Sequence, residues 1–269
     1  MKFARPLAAL LLSAAAPLAA HAHNFWMLPS ATVLSHADSW ITVDAAVSND
    51  LFYFNHVPLA VDALVITGPD GATVPAQNTH KGKYRTTFDV QLARPGTYRL
   101  AIARDSVVAS YTLNGETRRW RGTAKDFAGA IPAEARDVKV AQTSSRLETF
   151  VTAGKPTTDN LKASGSGLEL EPITHFNDLY AGEPARFRLL AEGKPAADVA
   201  VTIVRGGTRY RDQLHEIKAT TDANGEFSVT WPEPGMYWLD ADAEDDHVTV
   251  PQAGKRRLAY TATFEVLPQ

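Results

Sequence analysis

Short apolar runs alternate with turn residues along most of this chain, from Trp26 to the C-terminal end. Runs rich in Val, Thr, Ile, Tyr and Phe, separated by Gly, Pro, Asn and Asp, are typical of β-strands joined by turns. The pattern therefore predicts an all-β protein, with strand candidates at 41–47, 63–67, 84–90, 97–103, 185–191, 199–205, 225–231, 236–241 and 259–267.

Turn residues stand between these runs where strand connections are expected. Pro69-Asp70-Gly71 in the first half and Asp222-Ala223-Asn224-Gly225 in the second are sequences that favour tight turns. Both are predicted to close β-hairpins.

A short repeat links the two halves of the chain. Pro95-Gly96-Thr97-Tyr98 and Pro234-Gly235-Met236-Tyr237 share a Pro-Gly turn, a Tyr and the start of a strand. Two such turns can recur by chance. A β-sandwich, however, uses a turn of this kind where the chain crosses from one sheet to the other. The repeat therefore favours two β-sandwiches in tandem.

The strand pattern fades in the middle of the chain, near 114–160. This region is predicted to be partly irregular, with a helical turn or two after Lys125, while Arg118-Arg119-Trp120-Arg121 is predicted to be a solvated face with one buried Trp. Ser164-Gly165-Ser166-Gly167 has the composition of a flexible linker. We place an N-terminal domain at 23–165 and a C-terminal domain at 166–269.

The first 22 residues have the three parts of an export signal. Lys2 and Arg5 give a basic start, residues 8–16 an apolar run too short to span a bilayer permanently, and Ala20-His21-Ala22 a signal-peptidase site. The prediction is a cleaved signal peptide over 1–22 and a periplasmic protein that is not embedded in the membrane after cleavage.

Composition excludes several kinds of chemistry. The chain has no Cys, which excludes thiolate metal sites, thiol catalysis and disulfides. A net charge of −3 with mixed signs provides no basic field for nucleic acid. The sequence contains no His-Glu-x-x-His pair, Gly-x-Ser-x-Gly elbow or phosphate-binding Gly loop, so no enzyme is predicted.

Export would create a metal ligand at the new N-terminus. Cleavage after Ala22 gives His23 a free α-amine beside its imidazole, and this pair needs one more His or carboxylate to complete a tetragonal copper or nickel site. Cleavage after Ala20 instead gives His21-Ala22-His23, which can form a square plane of nitrogen atoms without a partner. A disordered terminus would hold no partner ligand, but the apolar run 25–29 is expected to anchor it as a first strand.

Three later histidines are the candidate partners of His23, and His56 is the best of them. His56 lies in an aromatic loop, His175 begins the second domain where it can face the first, and His247 ends the acidic run 240–247. The structural alternatives are a core or capping role for His56 and a solvated loop for His247. His36, His80 and His215 are predicted to be surface residues.

Several blocks carry a resemblance to a known family. These are His21-Ala-His-Asn-Phe-Trp-Met-Leu-Pro29, Phe52-Tyr-Phe-Asn-His-Val-Pro58, residues 167–183 and Thr221-Asp-Ala-Asn-Gly-Glu-Phe. Together they resemble the periplasmic DUF4198 family, often labelled as the periplasmic component of a nickel or cobalt uptake system. The resemblance implies Ig-like or transthyretin-like sandwich domains, and only loosely implies metal transport.

The leading functional interpretation is a periplasmic binding protein for Ni, Co or Cu, or for a complex of the metal, which feeds an inner-membrane transporter. The second interpretation is a non-catalytic interaction module that binds a protein or a glycan through its sandwiches. The third is a copper oxidase of polysaccharides. It ranks last because small tandem sandwiches offer no evident flat aromatic face for such a substrate.

Overall fold

The computed structural model describes residues 23–269, and the predicted signal peptide lies outside them. The α-helix in this range is α1 (Ala124–Phe127), and short 3-10 turns lie at Asp159–Leu161, Thr208–Tyr210 and Pro251–Ala253. In chain order the strands are β1 (Asn24–Pro29), β2 (Val33–Leu34), β3 (Ser39–Ser48), β4 (Val57–Pro58), β5 (Leu64–Thr67), β6 (Thr73–Val74), β7 (Gln77–Lys81), β8 (Thr86–Leu92), β9 (Gly96–Leu113), β10 (Glu116–Gly122), β11 (Arg136–Ala153), β12 (Leu168–Pro172), β13 (Pro184–Ala191), β14 (Lys194–Pro195), β15 (Ala200–Arg205), β16 (Ile217–Thr220), β17 (Glu226–Thr230), β18 (Gly235–Asp245) and β19 (Arg256–Val266).

These strands form three sheets. The front sheet has the order β1-β3-β8-β7, with β4 also paired to β3. The central sheet runs β16-β15-β18-β19-β11-β9-β5-β6, with β10 on β9 and β2 on β11. The back sheet contains β12, β13, β14 and β17. The prediction of an all-β protein is confirmed, and each of the predicted strands overlaps an observed one.

The central sheet belongs to both sandwiches. Alternate residues of a strand point to opposite faces, and in β11 Leu147 and Val151 enter a core between the front and central sheets, whereas Phe150 enters a second core against the back sheet. The first core includes Phe88, and the second includes Phe187. The two sandwiches are therefore joined through shared backbone, since β11 pairs with β9 on one edge and with β19 on the other.

The Pro-Gly-x-Tyr repeat marks equivalent corners of the two sandwiches. At each site the chain leaves an outer sheet and enters the central sheet, as predicted. Gly96 and Gly235 have φ values of 136° and 139°. The hydroxyls of Tyr98 and Tyr237, both fully buried, donate to main-chain oxygens four residues upstream at 2.8 and 2.7 Å. The recurrence of the whole arrangement argues against a chance match.

Of the two predicted hairpins, one forms and one is wrong. The Pro69-Asp70-Gly71 turn joins β5 to β6, which pair with each other. The Asp222–Gly225 turn joins β16 of the central sheet to β17 of the back sheet, so it connects sheets. Gly225 is required there because a Cβ would lie 2.4 Å from the main-chain oxygen of Leu189.

The segment near 114–160 is more regular than its sequence indicates. It contains β10, α1 and β11, and the first part of β11 pairs with β9 opposite β10 to extend the central sheet into a three-stranded arm. Thr123 begins α1 with a capping box to Asp126. Trp120 is half-buried and packs edge-to-face on Phe127 at 5.4 Å. The alternating pattern fails here because most side chains of β10 are exposed.

A buried ionic cluster lies where the two sandwiches meet. Glu148 accepts from Arg99 at 2.5 Å and from Tyr260 at 2.8 Å, and Arg146 lies 3.3 Å from both Glu148 and Glu169. Burial disfavours ionisation of Glu169, but hydrogen bonds from Ser164 and the charge of Arg146 bring its pKa below the ordinary value.

Glu169 also orders the segment that was predicted to be a flexible linker. Its carboxylate accepts from the amide and hydroxyl of Ser164 at 2.9 and 2.8 Å and from the amide of Gly165 at 2.7 Å. These bonds give the Ser-Gly segment a defined conformation. Within residues 23–269, no helix is long and apolar enough to cross a membrane.

Candidate metal centre

The side chains of His23 and His56 lie against each other at the start of the described chain. Their imidazole rings are stacked, with centroids 4.0 Å apart and planes inclined by 14°. Both residues are exposed. The structure thus brings the predicted terminal ligand together with one of its three candidate partners.

Strand pairing explains how residues 33 positions apart meet. Val47 of β3 is opposite Phe25 of β1 on one edge and Val57 of β4 on the other. Neighbouring strands are about 4.8 Å apart, which places the β1 and β4 backbones about 10 Å apart. Because β3 ends at Ser48, the two imidazoles reach across the space beyond its end.

The loop between β3 and β4 is held by its own polar side chains. Asn55 accepts from the amide of Asn49 at 2.9 Å and donates to Asp50 at 2.7 Å. Asn24, the first residue of β1, donates to the main-chain oxygen of Asn49 at 3.2 Å. These bonds tie the beginning of β1, next to His23, to the loop that ends at His56.

Trp26 forms the base of this loop. Its indole is fully buried and donates to the hydroxyl of Ser48 at 2.7 Å. Phe52 and Phe54 pack on the indole with ring centroids 5.5 and 5.6 Å away. The apolar run after His23, predicted to anchor the terminus, does so through this tryptophan.

His175 has a different set of contacts. Its Nδ1 accepts from the amide of Asn177 at 3.0 Å, which leaves Nε2 as the protonated nitrogen, 3.1 Å from the main-chain oxygen of Thr157. The ring also lies 3.4 Å from the hydroxyl of Thr97. His175 faces the first sandwich, as expected, but in this position neither nitrogen offers a free lone pair to a metal.

His247 lies on the surface, beside the acidic run that it ends. Its Nδ1 is 3.4 Å from the carboxylate of Asp245, and that carboxylate is bound by Arg256 at 2.5 Å. The arginine reduces the cation-attracting charge of this run. His36, His80 and His215 are exposed.

The second sandwich contributes contacts that local sequence patterns do not reveal. The indole Nε1 of Trp238 donates to the main-chain oxygen of Phe25 at 3.0 Å. Gly206 lies under the ring of Phe52, and the guanidinium of Arg209 stacks over Tyr53 at 4.0 Å. The pair Gly206-Gly207 is visible in the sequence, but it indicates a turn rather than a role in a site.

Comparison with known proteins identifies the family. The model of the family described as Domain of unknown function (DUF4198) matches residues 20–245. The chain belongs to the DUF4198 family. This confirms the resemblance seen in the sequence, but the family description names no activity, so nickel or cobalt uptake stays a prediction. No curated protein matches this DUF4198 chain.

Several solved structures show low similarity to this DUF4198 protein. The D0-D1 domain of intimin has 13% identity and a TM-score of 0.22, covering 88% of this chain and 96% of its own. The human OSCAR ligand-binding domain has 11% identity and a TM-score of 0.21, and the match covers 91% of this chain and 100% of that domain. Trypsin-activated alpha-2-macroglobulin from Escherichia coli has 9% identity and a TM-score of 0.21, and the match covers 90% of this chain and 23% of that protein. Scores this low carry no argument about function.

The candidate site has two imidazoles, and residues 23–269 place no third side-chain ligand beside them. Among residues 23–269, no group of three or more His, Asp or Glu side chains is placed to hold a metal ion. Nitrogen lone pairs lie in the ring planes, so stacked rings direct them in parallel. At least one ring must therefore rotate before both can bind one ion, and the exposure of both rings permits this.

Proposed function

We propose that the mature protein is a periplasmic binding protein for a divalent transition metal, Ni, Co or Cu, with His23 and His56 as ligands. The supporting observation is the contact between the two rings at 4.0 Å, made by a residue at the predicted cleavage point and one in a separate loop. Cleavage after Ala22 would add the α-amine of His23 as a third nitrogen, independent of any other side chain.

A set of one amine and two imidazoles determines which ion is held most strongly. The affinities of a given nitrogen site rise from Co²⁺ through Ni²⁺ to Cu²⁺. Neutral imidazole suits all three ions, whereas Mg²⁺ and Ca²⁺ prefer oxygen ligands. We therefore expect the order of affinity Cu²⁺ above Ni²⁺ above Co²⁺.

The role we propose is binding and delivery in the periplasm, without catalysis. Both histidines are exposed, so an ion held by them is accessible to a second protein. An inner-membrane transporter that accepts the ion, or a complex of the metal, is the partner that suits this arrangement.

Metal titration of the processed protein tests the proposal. Protein is purified from the periplasm, its N-terminus is established by intact mass, and the metal-free form is titrated with each ion in turn. His56→Ala should lower the affinity for Cu²⁺ by at least about tenfold, because loss of a ligand should cost no less than loss of an outer residue that orients one. His215→Ala, a change at another exposed histidine, is the matched control and should have no effect. Equal affinity in the two variants would contradict the proposal.

A second variant tests the contribution of the α-amine. One extra Met before His23 moves the amine away from its position beside the imidazole, so the Cu²⁺ affinity should fall. Unchanged affinity would show that the terminal amine is not a ligand. If processing occurs after Ala20 instead, the affinity would be high and independent of His56, and the His56→Ala titration detects this.

A further inference from the structure

The second sandwich contacts both segments that carry the histidine pair. Trp238 of β18 bonds to the main chain of Phe25, two residues after His23. Gly206, which follows β15, contacts Phe52 in the loop that ends at His56. The front sheet and the loop therefore do not determine the separation of the two imidazoles by themselves.

We infer that Gly206 and Trp238 are positioning residues, through which the second sandwich holds His23 and His56 together. This inference deepens the proposed function, and its consequences for metal affinity rest on it. Neither residue acts on an imidazole directly. Each acts through a neighbour of one histidine.

Gly206 acts through the ring of Phe52. A Cβ at position 206 would lie 2.8 Å from Cδ2 and 3.2 Å from Cε2 of that ring, which is too close for an undisturbed contact. The amide of Gly206 donates to the main-chain oxygen of Met236 at 2.7 Å, so its backbone is fixed by β18. The ring must therefore give way, and its edge-to-face packing on Trp26 at 5.5 Å limits how far it can move without moving the loop.

Alanine at 206 introduces no backbone strain of its own. The φ of Gly206 lies outside the left-handed region, unlike that of Gly207 at 76°. The effect of Gly206→Ala is therefore steric and directed at the loop that carries His56. At Gly207 the situation is reversed, because an added Cβ has no neighbour within 4 Å but the backbone is strained.

Trp238 acts through the backbone of β1. Its indole packs beside the buried group of Trp26, Ala46, Leu51 and Val204, and its Nε1 holds the oxygen of Phe25 at 3.0 Å. Trp238→Phe removes the N–H but retains an aromatic ring in the cluster. Loss of this bond should loosen the first residues of β1, which directly follow His23.

The contact between the rings can be measured without metal. In the metal-free mature protein, imidazole protons of His23 and His56 should show a nuclear Overhauser effect, because the rings stack at 4.0 Å. Gly206→Ala and Trp238→Phe should each weaken or abolish it. Gly207→Ala and Tyr237→Phe should not, although the first strains a backbone and the second removes a hydrogen bond from the same strand.

Metal affinity provides the second readout. In both positioning variants the affinity for Cu²⁺ should fall by about tenfold, as for other outer residues that orient ligands. Thermal unfolding shows whether each variant is folded. If Gly206→Ala does not fold, Trp238→Phe alone tests the inference. An unchanged Overhauser effect in Trp238→Phe would overturn it, whereas absence of metal binding by the wild-type protein would overturn only the proposed function.

Discussion

His56 and His175 show how two histidines of one fold come to have different roles. The ring of His56 lies on the surface against His23, whereas both nitrogens of His175 are used by the main chains of Asn177 and Thr157. Ligand atoms must be unprotonated and free to point at the ion. A rotation of its ring allows a nitrogen of His56 to point at an ion, whereas a nitrogen of His175 can do so only if the contact between the sandwiches opens.

We predict that His175→Phe destabilises the protein and leaves metal binding unchanged. The substitution keeps a ring of similar size but leaves the amide of Asn177 and the oxygen of Thr157 without partners, a loss of about 1–3 kcal/mol. Urea unfolding measures the change in stability, with His36→Phe at an exposed position as the control. A fall in Cu²⁺ affinity in His175→Phe would instead show that this histidine belongs to the metal site.

Sequence reasoning could identify the histidines and rank His56 first among the partners, but it could not exclude His175 or His247. The position of His23 after a cleavage signal and the aromatic residues around His56 were visible in the sequence. The bonds that occupy His175, and the contacts of Gly206 and Trp238, connect segments distant in the chain and follow no local pattern.

At the scale of single elements, β18 carries an acidic residue, Asp240, whose partial burial disfavours its negative charge. Burial, followed by repulsion from Asp242, raises the pKa of Asp240 to about 6, and the hydrogen bond from Thr261 offsets this only in part. The folded protein therefore binds this proton more tightly than the unfolded chain does. Asp240 destabilises the fold above pH 6, and this effect disappears as the pH falls toward 4.

Asp240→Asn should therefore be stabilising at neutral pH. We expect a gain of about 1–3 kcal/mol at pH 7, because the buried charge is removed and Asn can still accept from Thr261. Near pH 4 the wild-type residue is protonated and the gain should be small. Chemical unfolding at both values measures the difference, and a gain that does not depend on pH would contradict the raised pKa.

Strands with one buried face could be predicted, and strands with two exposed faces could not. In β8 buried and partly exposed residues alternate without exception, and the sequence pattern located it within two residues. In β10 only Trp120 and Gly122 are even partly buried. Its strand conformation follows from pairing with β9, a long-range contact that periodicity cannot reveal.

At the scale of the whole molecule, the two sandwiches share a sheet and a buried ionic cluster. Glu148 has no exposed side-chain surface and is paired with Arg99 and Arg146, while Tyr260 of the second sandwich donates to it. Burial and the charge of Glu148 together raise the pKa of Tyr260 well above its ordinary value. We expect the two sandwiches to unfold as one cooperative unit.

Glu148→Gln tests this coupling. Neutralising the buried carboxylate leaves two arginines short of a partner and should lower the free energy of unfolding by about 3–5 kcal/mol. Glu226→Gln is the matched control, because Glu226 also joins two arginines, at 2.5 and 2.6 Å, but closer to the surface, where a much smaller loss is expected. Calorimetry should show one transition in each variant, and two separate transitions would contradict the shared-sheet description.

The site itself is a property of the whole molecule, since β1, the loop after β3 and the second sandwich all contribute to it. Electron paramagnetic resonance of the mature protein with one equivalent of Cu²⁺ tests it most directly. The expected spectrum shows coupling to three nitrogens, from the amine and imidazole of His23 and the imidazole of His56, with one lost in His56→Ala. A spectrum that His56→Ala leaves unchanged would contradict the paired-histidine metal centre.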